Sequence, residues 1–226
     1  MIKRLKSKGK SGKTKQSPSE YLQNLASDLA RIGRGFHARG WCLGTSGNLS
    51  AVAQSNPLRL VITSSGLDKE LLSPRQFLEI DSEGNLVRGK GQPSAEAAIH
   101  IAVVRARSAG SVLHTHSVWS TVLSEAHRHA GSVLISGYEM LKGLDGVRTH
   151  EHTEYLPILE NSQDMNELSR RVEELLRRRP QIHGFLLRGH GLYTWGSTPR
   201  EAKRHVEILE FLMEVLVRSG TDATPA

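Results

Sequence analysis

The chain is organised around one stretch of sequence, Ser111-Val112-Leu113-His114-Thr115-His116. This stretch predicts a β-strand, and His114 and His116 then share one face because side chains two apart on a strand point the same way. A further histidine, His190, stands in Gly189-His190-Gly191. Because the two flanking glycines have no side chains, the backbone can bring this imidazole close to another segment. Three histidines with one open coordination position are typical of a catalytic zinc site. We therefore expect zinc to be bound by His114, His116 and His190.

Three further segments combine small hydroxylated residues with glycine or proline, and each adjoins a predicted strand or helix. They are Gly44-Thr45-Ser46-Gly47-Asn48-Leu49-Ser50, Ser64-Ser65-Gly66-Leu67-Asp68-Lys69 and Gln92-Pro93-Ser94. The backbone N–H groups of such turns can surround an anion. Taken singly, each segment is explained as well by a plain turn, whereas together they favour a phosphate-binding site.

Two glutamates are candidates for proton transfer. Glu96 falls in the first turn of a helix predicted over residues 95–109, where the helix dipole stabilises a carboxylate, so capping explains it without any catalytic role. His100 lies on the same helix face, and a helix packed on the histidine-bearing strand could aim Glu96 at the metal. Glu139 lies among apolar residues, an environment that raises the pKa of a carboxyl group toward neutrality. A surface position is the equally simple alternative for Glu139, and we interpret His100 as mainly structural.

The remaining candidates for metal binding or nucleophilic chemistry are weaker. His150-Glu151-His152 repeats the His-x-His spacing, but acidic residues crowd it, so metal binding there is the less favoured interpretation. Cys42 is the single cysteine, which excludes an intrachain disulfide and a cysteine zinc knuckle. Because Trp41 and Leu43 flank it, we interpret Cys42 as a small buried hydrophobic residue rather than a nucleophile.

The positive charge of the sequence is confined to its beginning. The formal net charge is +7, and residues 1–19 hold seven of the 30 lysines and arginines and no acid, which leaves 23 basic and 23 acidic residues in balance. We therefore expect a disordered basic tail over residues 1–18, one domain over residues 19–220 and a disordered C-terminal tail over residues 221–226. A neutral domain favours a small-molecule partner and no specific nucleic acid.

The apolar patterning predicts a cytoplasmic protein that mixes helices and strands. No apolar run approaches the roughly 20 residues that cross a bilayer, and the lysine-rich start lacks the apolar core of a secretion signal. Helical spacing predicts a first helix from residues 17–19 to about 33, another over residues 165–179 and a last one over residues 198–218, while strands are predicted over residues 59–63 and 77–81.

Six segments, in order and spacing, resemble the class II aldolase and adducin family over about residues 22–218. They are Gly44–Ser50, Ile62–Gly66, Pro93–Glu96, His114–His116, Glu139–Gly143 and Arg188–Gly196. The resemblance implies an α/β protein of the α+β type, with three α/β/α layers and a central, mainly antiparallel sheet. It also implies one zinc ion per subunit and a homotetramer whose active sites lie near subunit contacts.

Within that family, the Glu139 segment, Leu156–Asn161 and Tyr193–Gly196 resemble most a zinc-dependent hydro-lyase of methionine salvage. The implied reaction converts 5-methylthioribulose 1-phosphate to 2,3-diketo-5-methylthiopentyl 1-phosphate and water. The alternatives are a zinc-dependent sugar-phosphate aldolase or 4-epimerase acting on fuculose, rhamnulose or ribulose phosphates, and a non-catalytic adducin-like scaffold. The complete set of three histidines argues against the scaffold.

The family's functional residues can be carried onto matching positions of this sequence. His114, His116 and His190 correspond to the zinc ligands, and Glu139 corresponds to the acid/base of the hydro-lyases. Glu96 falls where the aldolases place a glutamate that binds metal or moves a proton, so its role stays open. The aldolase phosphate site corresponds to Ser46, Gly47, Asn48, Ser65, Gly66 and Ser94, while a second phosphate-site serine of the aldolases falls on Ala95.

Overall fold

The computed structural model describes residues 17–220. The predicted C-terminal tail at residues 221–226 lies outside the described residues, as does the predicted basic tail except for its last two positions. At those positions, Ser17 caps the first helix by accepting a hydrogen bond from the backbone N–H of Glu20, and the helix itself begins at Pro18. Across residues 17–220, no helix is both long enough and apolar enough to cross a bilayer.

Within the described residues, one sheet of nine strands runs through the molecule in the order β4-β3-β2-β1-β5-β9-β8-β7-β6. The strands are β1 Asn48–Ser55, β2 Leu58–Thr63, β3 Phe77–Asp81, β4 Leu86–Arg88, β5 Ser111–Thr115, β6 Ser132–Ile135, β7 Glu154–Leu159, β8 Gly184–Leu187 and β9 Gly191–Gly196. Every neighbouring pair is antiparallel except β7 and β8, which are parallel. The predicted mainly antiparallel sheet is confirmed.

Helices cover both faces of this sheet. They are α1 Pro18–Ala38, α2 Ala97–Arg107, α3 Val118–Ala126, α4 Met165–Arg178 and α5 Pro199–Ser219. Strand residues alternate between the two layers, as the two-residue period requires: Val112 packs with α2 and α4, whereas Leu113 packs with α1 and α5. A third apolar cluster lies between α3, α5 and strands β6 to β9. The three-layer α/β/α architecture is therefore confirmed.

The position of β5 in the middle of the sheet determines where functional side chains meet. His114 lies opposite Asn48, the first residue of β1, and opposite Tyr193 near the start of β9. Because both neighbours run antiparallel to β5, its carboxyl end adjoins the loops that precede β1 and β9. The end of β2 lies beside the loop that precedes β1, since the hydroxyl of Thr63 accepts a hydrogen bond from the backbone N–H of Leu49. Loops distant in sequence therefore gather at one end of the sheet.

Candidate active site

Four side chains converge at the carboxyl end of β5. His114 and His116 come from β5 and the residue following it, His190 from the loop between β8 and β9, and Glu96 from the residue before α2. The Nε2 atom of His116 lies 2.7 Å from that of His114 and 3.0 Å from that of His190, and the third Nε2 pair is 3.3 Å apart. Glu96 completes the group, because its carboxylate lies 3.1 Å from His190 Nε2 and 3.7 Å from His114 Nε2.

The chemistry of this group fits a divalent metal ion. His114 Nδ1 donates a hydrogen bond to the carbonyl oxygen of Leu192 at 2.9 Å, so the neutral ring directs the lone pair of Nε2 into the group. Burial lowers the pKa of His114 well below its usual value and that of His116 to about 4, which disfavours protons between the rings. Nitrogen lone pairs this close repel one another unless a cation lies between them. Three imidazoles beside a carboxylate are suitable ligands for zinc.

Glu96 is held as an anion next to the three rings. Burial by itself raises the pKa of Glu96, but the contacts of its carboxylate with His190, His114 and the amide of Asn48 outweigh burial, so the pKa is lowered. The amide of Asn48 donates to the Glu96 carboxylate and accepts a hydrogen bond from His100. The side chain of Glu96 makes no capping hydrogen bond at α2. The Glu96 carboxylate therefore contacts Asn48 and the histidine group and not the backbone N–H groups of α2.

Aromatic packing and a glycine fix the position of His114. The ring of Tyr193 stacks on that of His114, with centroids 3.9 Å apart and planes 10° from parallel, and Phe185 stacks on the other face of Tyr193. Gly191 lets β9 approach β5 closely, because a Cβ atom at this position would lie 2.0 Å from the carbonyl oxygen of Thr115. The strand pairing thus depends on the absence of a side chain beside the metal ligands.

A small polar cavity of about 150 Å³ adjoins the four-residue group. The three loops that were predicted to bind phosphate all contribute to it, and two of them are joined where the backbone N–H of Ser65 donates to the carbonyl of Gln92. All six residues carried over from the aldolase phosphate site line the cavity: Ser46, Gly47, Asn48, Ser65, Gly66 and Ser94. Glu96 and His116 line it as well, so the cavity opens directly onto the four-residue group.

Lys69 is a further residue of this cavity that was not among the predicted site residues. Its side chain is almost fully buried, and its ammonium donates hydrogen bonds to the carbonyl oxygens of Thr45, 3.0 Å away, and Leu67, 2.7 Å away. The lysine thereby links two of the phosphate-type loops and supplies a positive charge beneath them. The signal available in the sequence is its place three residues after Gly66, in the same loop.

Comparison with known proteins identifies the family. The profile described as "Class II Aldolase and Adducin N-terminal domain" matches residues 27–217. The chain belongs to the class II aldolase and adducin family. The resemblance of its six segments to this family is thereby confirmed, and the shared metal chemistry of class II aldolases agrees with the histidine group at the end of β5.

Relatives within the family include methylthioribulose-1-phosphate dehydratases from two bacteria. The protein of Sorangium cellulosum is 39% identical over 201 residues, which cover 88% of this chain and 94% of the relative. The protein of Pectobacterium atrosepticum is 45% identical over 177 residues, which cover 78% of this chain and 85% of the relative. Among solved structures, the L-fuculose-1-phosphate aldolase of Thermus thermophilus superposes with a TM-score of 0.70 at 25% identity, over 88% of this chain and 96% of that protein.

In this class II aldolase family chain, Glu139 does not lie in the histidine group. It begins a short 3-10 helix, Glu139–Gly143, and its side chain is 73% exposed with an ion pair to Lys142 at 2.6 Å. The hydrogen bond from Lys142 lowers the pKa of Glu139. The expectation that apolar neighbours raise this pKa is therefore wrong for the single subunit, because Leu141 turns into the core while Glu139 turns outward.

A buried glutamate beneath β5 was also missed by sequence reasoning. Glu210 of α5 is fully buried and accepts a hydrogen bond of 2.6 Å from the hydroxyl of Thr115, the residue between the two β5 histidines. Burial raises the pKa of Glu210 to about 7. The sequence carries a signal for it, because Glu210 stands four residues after Val206 and three before Met213, on the apolar face of the helix.

Proposed function

We propose that this protein is a zinc-dependent methylthioribulose-1-phosphate dehydratase. It converts 5-methylthioribulose 1-phosphate to 2,3-diketo-5-methylthiopentyl 1-phosphate and water in methionine salvage, in the cytoplasm. The observation that carries the proposal is the convergence of three imidazole Nε2 atoms next to a hydroxyl-lined cavity, with His116 and Glu96 belonging to both. The two dehydratases that share 39% and 45% identity with the chain support the choice of reaction.

His114, His116 and His190 would hold one zinc ion per subunit. When bound, zinc supplies Lewis-acid stabilisation for negative charge that develops on a substrate oxygen. Glu96, whose lowered pKa makes it a weak base, serves better as a further ligand or as an anion that orients the site. Asn48 holds the Glu96 carboxylate toward the histidines and so restricts it to that position.

The cavity beside the histidines is suited to the phosphate of the substrate. Its serine hydroxyls and the backbone N–H groups of its turns are donors for phosphate oxygens, and Lys69 adds positive charge. A substrate anchored there extends toward His116 and Glu96, which border the same cavity. Binding of the phosphate thereby places the carbon chain next to the metal ligands.

Removal of water requires a base for the proton on C3 and an acid for the hydroxyl group that leaves C4. The enol that remains after loss of water becomes the 2,3-diketone. We assign both proton transfers to Glu139. Because Glu139 is exposed and lies outside the histidine group of its own chain, it must act on the site of a neighbouring subunit.

Exposed apolar side chains support such a subunit contact. Val118 and Val122 of α3, which begins two residues after His116, are 61% and 42% exposed, and Met140 beside Glu139 is 40% exposed. A contact that buries both patches would bring Glu139 to the metal centre of the next subunit. Four copies joined head to tail by this contact form a closed ring, as in the proposed homotetramer. Burial there would also raise the pKa of Glu139.

Two single variants test the assignment. His116→Ala should lose the zinc ion of the histidine group and activity together, as measured by elemental analysis and by turnover of methylthioribulose phosphate. Glu139→Gln should retain zinc while its turnover falls by roughly 10²-fold or more. Fuculose, rhamnulose and ribulose phosphates, assayed in parallel, separate the dehydratase from an aldolase or epimerase. Full turnover by either variant would contradict its assigned role.

Mixed assemblies test the contribution from a neighbouring subunit. If His116→Ala and Glu139→Gln subunits are unfolded, mixed equally and refolded together, some sites combine an intact metal centre with an intact Glu139. Random mixing around a ring makes such sites about one quarter of the total, so about a quarter of wild-type activity should return. Activity that stays at the level of the separate variants would show that Glu139 does not act across the contact.

A further inference from the structure

A second group of metal-ligand side chains lies at the other end of β8 from the first. It consists of His152 in the loop before β7, Glu154 at the start of β7 and His183 just before β8, with one ligand atom of each within 4.8 Å of the others. His183 and His190 flank opposite ends of β8, whose four residues span about 13 Å. The two groups are therefore separate sites.

The geometry of this group centres on one carboxylate oxygen. Oε2 of Glu154 lies 2.9 Å from Nε2 of His152 and 2.9 Å from Nδ1 of His183. The other oxygen, Oε1, accepts a hydrogen bond from the backbone N–H of His183, which fixes the orientation of the carboxylate. Glu154 is almost fully buried, so two imidazole nitrogens and a carboxylate oxygen are held together in a restricted environment.

The second nitrogen of His183 has the partner expected for a metal-bound imidazole. Nε2 donates a hydrogen bond to the carbonyl oxygen of Asp145 at 2.8 Å, an arrangement that is common for metal ligands because it leaves the opposite nitrogen unprotonated. Nδ1 of the same ring faces Oε2 of Glu154 at 2.9 Å. A cation bound between these two atoms contacts both side chains and compensates the charge of Glu154.

The group is accessible from solvent through a cleft of about 950 Å³, which His152 and His183 both line. His205 lines the same cleft, but its Nδ1 donates to the carbonyl of Trp195 at 2.7 Å and its Nε2 accepts from the backbone N–H of Asp145. His205 is therefore already hydrogen-bonded at both nitrogens and is not a ligand. Solvent in the cleft can occupy the open coordination positions, as in three-ligand zinc sites.

We propose that His152, Glu154 and His183 bind a second divalent transition-metal ion of the zinc class. Imidazole and carboxylate together suit zinc, cobalt and nickel better than magnesium or calcium. The ion ties the loop that contains His152 to the starts of β7 and β8. The predicted His150-x-His152 pair is not itself the site, since His150 is 58% exposed and Nδ1 of its ring lies 3.9 Å from the carboxylate of Glu139.

The number of zinc ions per subunit tests this proposal independently of the catalytic centre. Metal-free full-length protein is equilibrated with micromolar zinc, and bound zinc is measured by elemental analysis and by calorimetric titration. Wild type should bind two ions per subunit, His116→Ala one, His152→Ala one, and the double variant none. His150→Ala, in which an exposed neighbouring histidine is removed, is the matched control and should bind two.

The result for His116→Ala is decisive, because this variant leaves the second group intact. X-ray absorption of its bound zinc should show two imidazoles and a carboxylate, and zinc should raise its melting temperature but not that of the double variant. Absence of zinc binding by His116→Ala would overturn the proposal. So would a wild-type stoichiometry of one ion per subunit that His152→Ala leaves unchanged, and the group would then be a metal-free ion pair.

Discussion

Replacement by alanine should have different effects at the two glycines that flank His190. Gly191→Ala would place a Cβ atom 2.0 Å from the carbonyl oxygen of Thr115 and 3.1 Å from the ring of His114. Gly189 has a φ of +60°, and a Cβ there meets no atom within 4 Å. The same chemical change therefore separates two strands at position 191, whereas at position 189 it only forces alanine into the left-handed region.

The expected losses of stability differ several-fold. A contact between a methyl group and an oxygen needs more than about 3 Å, so β5 and β9 must move apart by roughly 1 Å at the register where Thr115 faces Leu192. Overpacking of this kind costs about 1–3 kcal/mol, and each ladder hydrogen bond that is lost adds about 1 kcal/mol. The expected total for Gly191→Ala is about 3–5 kcal/mol, against about 1 kcal/mol for Gly189→Ala.

Urea denaturation of metal-free protein measures both free energies of unfolding, and zinc content after reloading shows whether the ligands still meet. Gly191→Ala should lose the zinc ion of the His114 centre because β9 carries His190 and the stacking Tyr193 away from His114. Gly189→Ala should keep it. If the two variants lost equal stability, or if Gly191→Ala bound zinc as wild type does, the close strand approach would not be what assembles the centre.

Three further results are expected. Because the pKa of Glu210 is raised to about 7 from 4.5 in the unfolded chain, the native state binds the extra proton. The free energy of unfolding should then fall by about 3 kcal/mol as pH rises from about 4.5 to above 7. Glu210→Gln should reduce this dependence on pH in denaturation series from pH 5 to 8. Lys69→Met should raise KM for the phosphate ester about tenfold with unchanged zinc content; an unchanged KM would remove Lys69 from the phosphate site. Burial raises the pKa of Cys42 to about 12, so a thiol reagent at pH 8 should react only after unfolding, and rapid native labelling would contradict that burial.

Much of the site could be predicted because it follows from local geometry. The two-residue period of a strand places His114 and His116 on one face, and an antiparallel sheet brings glycine- and serine-rich loops to one end. The partners of Glu96 could not be predicted in this way. Its carboxylate bonds to Asn48, 48 residues earlier in the chain, and nothing in the helix itself indicates whether that carboxylate caps the helix or leaves it.

Glu139 and Lys69 show a second limit of local patterns. Apolar neighbours in the sequence left a buried and a surface Glu139 equally open. In a 3-10 helix successive side chains point about 120° apart, so Leu141 is buried while Glu139 is exposed. For Lys69, the sequence gives only its place in a phosphate-type loop, and only the folded structure supplies the carbonyl oxygens of Thr45 and Leu67 that accept hydrogen bonds from its buried ammonium. Both outcomes depend on tertiary contacts.

The order of the strands also has a consequence for synthesis of the protein. β9 is the last strand to leave the ribosome, yet it lies between β5 and β8 in the interior of the sheet. Until it emerges, β5 presents an unpaired edge that can join other nascent chains, and His190 is still missing from the ligand set. Metal loading of the His114 centre must therefore wait until His190 has been translated, and chaperones that shield open sheet edges should matter most in the interval before β9 inserts.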